Sequence, residues 1–442
     1  MNARDAAIAT IQTLHSAGHQ AMLAGGCVRD RLLGKEPKDF DVATSAKPAQ
    51  VIALFPGALT VGAHFGVVIV RQGDQQIEVA TFRQDGVYAD GRHPESVTFS
   101  TPEMDAQRRD FTVNGLFEDP IRGEIIDYVG GKADMKAKVL RAIGDPTKRF
   151  TEDHLRLMRA VRFATVLGFE IEAETWAAVK ALAPQIKHVS MERLREEFSR
   201  TMLHPNRVRG FDLLVESGLM KALLPEILVL QGCEQPPQFH PEGDVFVHTR
   251  LMLSLLPEEV SLELVLSVLF HDIAKPATQT VDDAGRIRFN GHDMVGARMT
   301  DRILRRLKYP NHVVETTVEA VANHMVFKDV PKMRVAKLKR FMARPGFDDE
   351  MELHRVDCLG CHGMLDNYEF LIAKKEEFAN EPLIPPRLIN GGDLIALGWK
   401  PSPLLGAVLD AVQTLQLEGT LTTRDEALEW VNANGASVTV ES

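Results

Sequence analysis

Two glycines, one arginine and two aspartates in one short stretch of the chain have the chemistry to hold a triphosphate. Gly25 and Gly26 precede Arg29, and Asp39 and Asp41 follow Gly26 by 13 and 15 residues. A glycine pair between a strand and a helix lets the backbone approach a ligand and aim free N–H groups at an anion, with the arginine as a phosphate partner. Two carboxylates two residues apart on an extended segment face the same way, as is needed to hold divalent cations against phosphate oxygens. The order and spacing predict a metal-dependent triphosphate site.

A carboxylate and a guanidinium further along the chain have the acceptors and donors to select a base. Thr151 is suited to begin a helix as its N-cap, with Glu152 and Asp153 at the positive end, and Asp153 and Arg156 are neighbours on such a helix. A carboxylate that accepts from an exocyclic amine, beside a guanidinium that donates to the adjacent ring nitrogen, complements cytosine and adenine but not uracil or guanine. The pair predicts selection of CTP and ATP, although in isolation it is also the pattern of an ordinary surface ion pair.

The elements that must position these residues change character along the chain. Up to about residue 140, short segments of alternating polarity predict a mixed domain of strands and few helices. The predicted helices are 6–17 and 27–33, and the predicted strands are 21–24, 40–43, 66–71 and 77–82. Glu78 lies in the last of these strands and is a candidate for a third oxygen ligand. From Thr151 onward, long stretches of helical period predict a helical body.

The motifs resemble those of a known family. The segments Gly25–Gly34 and Lys38–Asp41 are similar to the head-domain motif of the class II nucleotidyltransferases, which include the bacterial CCA-adding tRNA nucleotidyltransferases and the poly(A) polymerases. Further segments resemble that family's ribose- and phosphate-binding motif, hinge, nucleotide-selecting helix and neck motif, which are Arg108–Asn114, Asp119–Gly131, Glu152–Arg159 and Ser190–Glu197 in that order.

The resemblance implies a fold, an activity and a set of site residues. The implied fold is α+β, with a polymerase-β-like nucleotidyltransferase head followed by an all-helical neck and body. The implied activity is template-independent addition of CMP, CMP and AMP to the 3′ end of tRNA from CTP and ATP, with Mg²⁺ in the head. The implied catalytic and Mg²⁺-binding residues are Asp39 and Asp41, and the implied nucleotide-binding residues are Gly25, Gly26, Arg29, Arg109, Asp110, Asn114, Asp153, Arg156 and Arg159.

A second set of metal-ligand residues lies in the last part of the chain. Its spacing resembles the H…HD…D set of the HD phosphohydrolase superfamily, which implies a divalent metal and phosphomonoesterase or cyclic phosphodiesterase activity on RNA ends. Imidazoles and carboxylates from separate helices can close round a cation and leave a position for water, which the metal acidifies. The implied ligands are His248, His271, Asp272 and Asp357, with His292 and His324 as candidates for a second cation.

The sequence also bears on which family member this chain resembles. Bacterial poly(A) polymerases typically have Gly-Arg-Arg-Phe where this chain has Gly62-Ala63-His64-Phe65, and the difference favours tRNA over mRNA. The polar segment 82–94 resembles the family's flexible loop. The alternatives are a poly(A) polymerase, an enzyme that adds only A or only CC, an HD phosphohydrolase with a vestigial head, and a non-catalytic RNA-binding protein. The intact Asp39 and Asp41 argue against the last two.

Composition and charge exclude other classes. The 442 residues carry 51 Lys and Arg against 61 Asp and Glu, and 45% are apolar, as in an ordinary globular protein. No apolar run is long enough for a membrane helix and the start has no signal pattern, so we expect a cytoplasmic protein without membrane contact. The Cys358-Leu-Gly-Cys361-His362 spacing matches haem attachment, but that chemistry needs export. We therefore expect reduced cysteines and no haem.

Changes in composition predict four domains. They are a nucleotidyltransferase head over 1–140, a helical neck and body for nucleotide selection and RNA binding over 141–235, an HD domain over 236–380 and a helical tail over 381–442. Six bases without an acid lie between Pro331 and Arg344. At helical spacing they are suited either to following a nucleic-acid backbone or to forming a solvated helix face.

Overall fold

The computed structural model describes residues 1–59, 66–86, 97–237 and 240–439 of the 442-residue chain. These residues form two compact units, Met1–Leu228 and Val229–Ser442. The finer division into four domains stays a prediction. The segment Gly62–Phe65 and most of the loop predicted over 82–94 lie outside the described residues.

A mixed sheet forms the base of the first unit. The strands of this part, in chain order, are β1 (Ala21–Ala24), β2 (Val42–Thr44), β3 (Val67–Gln72), β4 (Gln75–Thr81), β5 (Arg83–Asp85), β6 (Val97–Phe99), β7 (Leu116–Asp119) and β8 (Glu124–Asp127). Six of them form one sheet in the order β3-β4-β2-β1-β7-β8, and β5 pairs with β6 separately. Strands β2 and β4 run parallel, and the other neighbours in the sheet run antiparallel.

The register of three strands brings the predicted catalytic residues to one edge of the sheet. Leu23 pairs with Val42 between the antiparallel β1 and β2, so Gly25 leaves β1 beside the point where Asp41 enters β2. The N–H of Ala24 donates to the carbonyl of Asp41 at 3.0 Å. Val42 pairs with Val79 between the parallel β2 and β4, which puts Glu78 next to Asp41.

Helices cover the sheet because their apolar residues recur at helical spacing. They are α1 (Ala3–Ser16), α2 (Gly26–Leu32), α3 (Pro48–Leu54), α4 (Pro102–Gln107) and α5 (Gly131–Ala137), with a 3₁₀ helix over Thr112–Asn114. Helix α1 begins where the side chain of Asn2 accepts from the N–H of Asp5. Its buried Ala7, Ile11 and Leu14 face the sheet, and α1 packs against β1, β3 and β4.

The rest of the first unit is helical. Its helices are α6 (Pro146–Glu152), α7 (Leu155–Leu167), α8 (Ala173–Leu182), α9 (Met191–Met202), α10 (Arg207–Glu216), α11 (Leu219–Leu223) and α12 (Pro225–Leu228), with a 3₁₀ helix over Ala183–His188. A short parallel pair, β9 (Val139–Leu140) with β10 (Glu170–Ile171), interrupts the helices. The buried ring of Phe111 meets those of Phe150 and Phe163, which joins the start of this part to the sheet domain.

The second unit is a helical assembly with one small hairpin. Its helices are α13 (Val245–Leu255), α14 (Leu262–Phe270), α15 (Lys275–Thr278), α16 (His292–Arg306), α17 (Asn311–Asn323), α18 (Val335–Met342), α19 (Phe347–Gly360), α20 (Asp366–Glu377), α21 (Gly391–Ala396), α22 (Pro403–Leu417) and α23 (Arg424–Asn434), with 3₁₀ helices over His324–Lys332 and Gly435–Ser437. The hairpin pairs β11 (Thr280–Val281) with β12 (Ile287–Arg288). One core forms around Phe327 and a separate core around Leu394 and Val412.

The α+β class predicted from the sequence is confirmed, and one predicted helix start is wrong. Thr151 does not cap the selecting helix, because the chain is already helical there. Asp145 caps α6 by accepting from the N–H groups of Thr147 and Lys148, and the hydroxyl of Thr151 donates to the carbonyl of Thr147 inside that helix. The next helix begins at Leu155. Among the described residues, no helix has both the length and the apolar character needed to cross a membrane.

Candidate nucleotide and metal sites

An open cavity of about 580 Å³ in the first unit gathers the predicted nucleotide-binding residues. Eight arginines and three aspartates line it, an excess of positive charge that is suited to a polyanion. The lining consists of Gly25, Gly26, Arg29, Asp41, Arg108, Arg109, Asp110, Asn114, Asp153, Leu155, Arg156, Arg159, Arg162, Phe163, Arg193 and Arg200. All nine predicted nucleotide-binding residues are included, and Asp39 lies outside this lining.

The glycine pair at the cavity allows a close approach of the backbone. Gly25 has φ of +74°, and a Cβ at this position would lie 2.8 Å from Nη1 of Arg109. Another residue would therefore be strained and would clash. The expected free N–H groups are only partly present, because the N–H of Gly25 donates to the carbonyl of Leu116 at 2.9 Å. Gly26 begins α2, so amides available to an anion start with Gly26 and not with Gly25.

Three carboxylates meet at the edge of the sheet. Asp39 and Asp41 flank the buried Phe40, so their side chains extend to the same side. Water reaches the carboxyl group of Asp41, but it lies in a concave, crowded surface, and this loss of solvation raises its pKa. Repulsion from Glu78 and then Asp39 raises the pKa further, to about 6, against the opposing charge of Arg109. A divalent cation would offset this repulsion, and its oxygen-ligand preference matches the donor set.

A hydrogen-bond network holds the predicted ribose- and phosphate-binding motif. Asp105 is buried and accepts from Nε and Nη2 of Arg109 at 3.2 and 3.0 Å. Asn114 donates through Nδ2 to Oδ1 of Asp110 at 3.0 Å, and its Oδ1 accepts from Nη1 of Arg29 at 2.6 Å. The guanidinium groups of Arg29 and Arg109 are thus fixed at the cavity by other protein groups. Sequence analysis missed Asp105, which lies one helical turn before Arg109.

Helix α7 supplies a second row of arginines. Arg159 donates to Oδ2 of Asp110 from Nε and Nη2 at 2.8 and 2.6 Å. Burial by itself would raise the pKa of Asp110, but Arg159 and Asn114 hold that pKa well below its usual range. Arg162 was missed by the sequence analysis and donates to Glu197 of α9 at 2.5 Å. The sequence feature that could have identified Arg162 is its position three residues after Arg159, on the same face of the helix.

Asp153 and Arg156 both line the cavity, but their side chains pair with other residues and not with each other. Asp153 ends α6, and its Oδ2 accepts from Nη2 of Arg193 on α9 at 2.8 Å. Arg156 donates from Nη1 to Glu152 at 2.6 Å and to the carbonyl of Arg149 at 2.8 Å. The expected neighbour pair on one helix is therefore wrong, because the chain is extended at Asp153 before α7 begins.

In the second unit, the six predicted ligand residues form two triplets. Each triplet has its ligand atoms within 4.8 Å of one another, and the triplets are His248 with His271 and Asp357, and Asp272 with His292 and His324. They come from five elements that are far apart in the sequence, namely α13, the end of α14, α16, the end of α17 and α19. The sequence analysis set His292 and His324 apart for a second cation, but it placed Asp272 with the first group of ligands, whereas the structure groups it with these two histidines.

The second triplet has the chemistry of a divalent metal site. The Nε2 atoms of His292 and His324 lie 3.0 Å apart, and they face Oδ1 of Asp272 at 3.4 and 3.9 Å. Burial, together with the nearby His271, lowers the pKa of His324 to about 4, so its imidazole is neutral and has a lone pair for a metal. The other ring nitrogens of His292 and His324 contact backbone carbonyls, which leaves Nε2 for a ligand. The residues present therefore fit a divalent cation.

Two residues that precede the predicted HD ligands, His240 and Glu242, contact His248 and were missed, and a third, Gln235, contacts Lys275 beside Asp272. Glu242 has Oε1 at 2.8 Å from Nδ1 of His248 and at 2.9 Å from Nδ1 of His240. Gln235 accepts from the buried Lys275, which also contacts Asp272, both at 2.6 Å. The sequence analysis placed a domain boundary at 235/236 and named no ligand before His248. The missed signal was a histidine and a glutamate placed just before His248.

The cysteines have no metal or disulfide role among these contacts. All four are free thiols. Burial raises the pKa of Cys358 and of Cys361 to about 12, so both are protonated at neutral pH. Cys27, Cys233 and Cys358 are buried, and Cys361 is half-buried.

Three family models match this chain in the order in which the sites occur. The "Poly A polymerase head domain" matches residues 21–141, the "Probable RNA and SrmB- binding site of polymerase A" matches residues 168–230, and the "HD domain" matches residues 245–357. The chain therefore contains regions similar to the head domain and the RNA-binding region of polymerase A and to the HD domain. The head model contains both the glycine pair and the three carboxylates, and the HD model contains both metal-ligand triplets.

The chain is similar to curated bacterial proteins over about half of its length. It is 43% identical over 222 residues to the CCA-adding enzyme of Anoxybacillus flavithermus, a match that covers 50% of this chain and 55% of the relative. It is 44% identical over 220 residues to the CCA-adding enzyme of Geobacillus stearothermophilus, covering 50% and 54%. The match therefore spans only about half the length of these relatives.

Solved structures extend the likeness of fold to nearly the whole chain. The Bacillus stearothermophilus CCA-adding enzyme in complex with CTP has a TM-score of 0.73 at 26% identity, covering 99% of this chain and 98% of that one. The Thermotoga maritima CCA-adding enzyme complexed with tRNA_CCA has a TM-score of 0.61 at 20% identity, covering 97% and 95%. The second likeness is evidence for the fold alone.

Proposed function

We propose that the first unit transfers CMP, CMP and AMP in turn from CTP and ATP to the 3′ end of tRNA, without a nucleic-acid template. The observation that carries this proposal is an arginine-lined cavity that Asp41 lines, with Asp39 and Glu78 near Asp41 at the same sheet edge. The structural likeness to a CCA-adding enzyme in complex with CTP supports the choice of nucleotide. We place this reaction in the cytoplasm.

The proposed reaction is an attack of the tRNA 3′-hydroxyl on the α-phosphate, with release of pyrophosphate. Asp39 and Asp41 would hold Mg²⁺, which when bound stabilises the attacking oxygen and the leaving charge. Arg29, Arg109 and Arg159 neutralise the phosphate oxygens and fix their position. Because protein groups already hold these guanidiniums, little reorganisation is needed when the nucleotide enters.

Base selection rests on the donors and acceptors that Arg156 and Asp153 keep free. Three of the five N–H groups of Arg156 donate to Glu152 and to the carbonyls of Arg149 and Arg108, which leaves two for a base. Asp153 accepts two bonds from Arg193, one on each oxygen, and a third from the N–H of Leu155 on Oδ1. Because a carboxylate has about four lone-pair sites, roughly one remains for an exocyclic amine. Cytosine and adenine supply that amine, whereas uracil and guanine present a carbonyl that would repel the carboxylate.

The decisive experiment offers a tRNA without its terminal CCA each of the four nucleoside triphosphates separately, and then CTP and ATP together. A product that ends in CCA supports the proposal. A long A tail would support a poly(A) polymerase, and addition of A alone to a tRNA ending in CC would support an A-adding enzyme. No incorporation under any condition would support the alternative of an HD phosphohydrolase with a vestigial head.

We also propose that the second unit hydrolyses phosphomonoester or 2′,3′-cyclic phosphate groups at RNA ends with a divalent metal. The observation that favours it is the pair of buried triplets, which match a two-metal site able to clamp a phosphate and supply a bound water. The test is hydrolysis of 2′,3′-cyclic AMP and of a 2′-phosphate with Mg²⁺, Mn²⁺, Ni²⁺ or Co²⁺. Absence of hydrolysis with all four metals would overturn this second function.

A further inference from the structure

A groove of about 630 Å³ in the second unit borders the segments that carry two of the metal-ligand histidines. Its wall includes Asp293, which follows His292, and Met325, which follows His324. The remaining lining residues lie between 326 and 337, along the 3₁₀ helix that begins at His324 and the start of α18. A ligand in the groove therefore runs along the same backbone that holds the second triplet.

The structure divides five of the six bases of the cluster found in the sequence into two groups, and the sixth, Lys339, lies over the ring of Phe378. Arg344 contacts Glu350 and Glu319, and Arg340 donates to Thr414 of α22 at 2.9 Å. Those two bases serve the internal packing of the unit. By contrast Lys332, Arg334 and Lys337 are exposed and line the groove, where Lys328 joins them.

The groove has the opposite charge to the part of the chain that contains it. Its four bases face two acids, Asp293 and Asp329, whereas residues 236–442 carry 22 Lys and Arg against 30 Asp and Glu. Lys332 donates to Asp329 at 2.9 Å, and this bond, with the charges of Lys328 and Lys337, lowers the pKa of Asp329. The cations are thus gathered closely enough to act together on an anion.

The floor of the groove is apolar. Met325, Val326 and Met333 are half-buried there, beneath the exposed bases. A basic rim above an apolar floor fits a single nucleic-acid strand, whose phosphates meet the cations while a sugar or base covers the apolar side chains. An acidic peptide would meet the same charges, but it would not bring a phosphate ester to the adjacent triplet.

We propose that this groove binds the single-stranded end of an RNA chain next to the metal triplets, so that the substrate class of the second unit is a phosphate-ended RNA strand and not a free mononucleotide. The inference rests on the proposed phosphohydrolase function. It adds the residues that bind an RNA strand but do not contact a free mononucleotide. They are Lys328, Lys332, Arg334 and Lys337.

The test compares two substrates in the full chain carrying Lys332→Glu and Lys337→Glu. For an RNA oligonucleotide that ends in a 2′,3′-cyclic phosphate, we expect KM to rise about tenfold or more at low salt, with kcat nearly unchanged, because phosphate contacts supply binding energy. For 2′,3′-cyclic AMP, we expect both constants to stay within about twofold, because a monomer does not extend into the groove. The rise in KM should shrink as salt increases.

A matched control changes the same number of charges elsewhere on the unit. Arg305→Glu with Lys375→Glu reverses two exposed bases that pair with Asp301 and Asp348 outside the groove lining. This variant should hydrolyse the oligonucleotide like the wild type. An equal loss in both double variants would mean that general charge, and not the groove, attracts RNA, and an equal loss of both substrates in the groove variant would place the lysines at the metal centre.

A second measurement keeps the groove proposal separate from the hydrolysis proposal. An RNA oligonucleotide with a photoreactive base beside a 3′ phosphate is irradiated with the full chain, and the cross-linked peptides are identified. Cross-links within 325–337 that the groove substitutions abolish support the groove, even if no hydrolysis is found. Cross-links confined to other parts of the chain would overturn it, even if the wild type hydrolyses 2′,3′-cyclic AMP.

Discussion

Asp39 and Asp41 share a crowded sheet edge with Glu78, and loss of solvation, followed by repulsion from Glu78 and Asp39, raises the pKa of Asp41 to about 6. A single cation-dependent centre would serve both nucleotides there. We therefore predict that Asp39→Ala and Asp41→Ala each reduce incorporation of both CMP and AMP to background. Each substitution removes a ligand of the cation that contacts the phosphate. Single-nucleotide extension of a truncated tRNA measures this, with Asp74→Ala, an exposed aspartate in the β3–β4 turn, as the control. Normal addition of C in either variant would remove that carboxylate from the mechanism.

Glu242 illustrates a residue whose importance depends on one contact. Its Oε1 lies 2.8 Å from Nδ1 of His248, while Nε2 of the same ring faces Asp357 at 3.1 Å. A carboxylate at Nδ1 keeps Nε2 directed at a cation. We predict that Glu242→Ala weakens Mn²⁺ binding by about 10- to 100-fold, and Glu242→Gln by less, because the amide oxygen still accepts.

Calorimetric titration of Mn²⁺ into the metal-free protein measures the effect of Glu242 without any assay of activity. Glu234→Ala is the matched control, since Glu234 is an exposed acid of the same segment. Unchanged affinity in both Glu242 variants would mean that other contacts orient His248.

At the scale of secondary structure, the base selection that we propose depends on contact between the α6–α7 junction and α9. Arg193 on α9 holds Asp153 at 2.8 Å, 40 residues away in the chain. We predict that Asp153→Ala or Arg156→Ala relaxes or abolishes the choice of base, because the triphosphate contacts remain while the edge-reading groups are gone. Arg193→Ala should relax it less, because it only frees Asp153.

The ratio of UTP and GTP incorporation to CTP incorporation measures this selectivity. Lys187→Ala removes an exposed base of the same unit and should leave the ratio unchanged. Wild-type discrimination in both Asp153→Ala and Arg156→Ala would show that other groups select the base.

The ion pair between α7 and the loop after α4 predicts a dependence of stability on pH. Arg159 and Asn114 hold the pKa of Asp110 well below its usual range, although burial opposes them. A carboxyl group with a depressed pKa stabilises the fold above its unfolded pKa of about 3.9 and loses that effect as the pH falls toward its folded pKa.

We predict that Asp110→Asn lowers the free energy of unfolding by about 2 kcal/mol at pH 7, because the half-buried Arg159 loses the nearer of its two charged partners and keeps only Glu197 at 3.8 Å. The difference from wild type should stay constant from pH 7 to 5 and shrink below about pH 4. Urea unfolding across this range checks the prediction. A difference that persists at acid pH would mean that the loss comes from the shape of the new side chain.

A local sequence pattern predicts a helix or strand well where no second pattern nearby predicts a different start. The strand at 21–24 is β1 as predicted, and the helix at 27–33 is shifted by one residue in α2. The helix start predicted at Thr151 is wrong for two reasons. Asp145 and Pro146 form an earlier helix N-terminus, and Asp153 is held by Arg193, a partner 40 residues away. The first cause was readable in the sequence, but the second was not, since no local pattern reports a tertiary ion pair.

At the scale of the whole molecule, the order of the motifs predicted which residues belong to each candidate site better than it predicted how those residues are arranged. The spacing of His248, His271-Asp272 and Asp357 named the members of a metal site, but their division into two triplets depends on how five elements pack. His240 and Glu242 were missed for a similar reason. Their contact with His248 depends on how the chain before α13 folds back, which no local pattern in the sequence reports.

The two proposed chemistries lie in different compact units, so we predict that they can be separated by mutation. His271→Ala with Asp272→Ala removes one ligand from each triplet, and the site should then be empty or badly formed. Hydrolysis of cyclic phosphate ends should be lost while CCA addition persists. Both reactions are assayed on a double variant that circular dichroism shows to be folded, with His312→Ala, an exposed histidine of α17, as the control. If CCA addition collapses in the folded double variant but not in the control, the second unit takes part in holding tRNA, and the idea of independent sites fails.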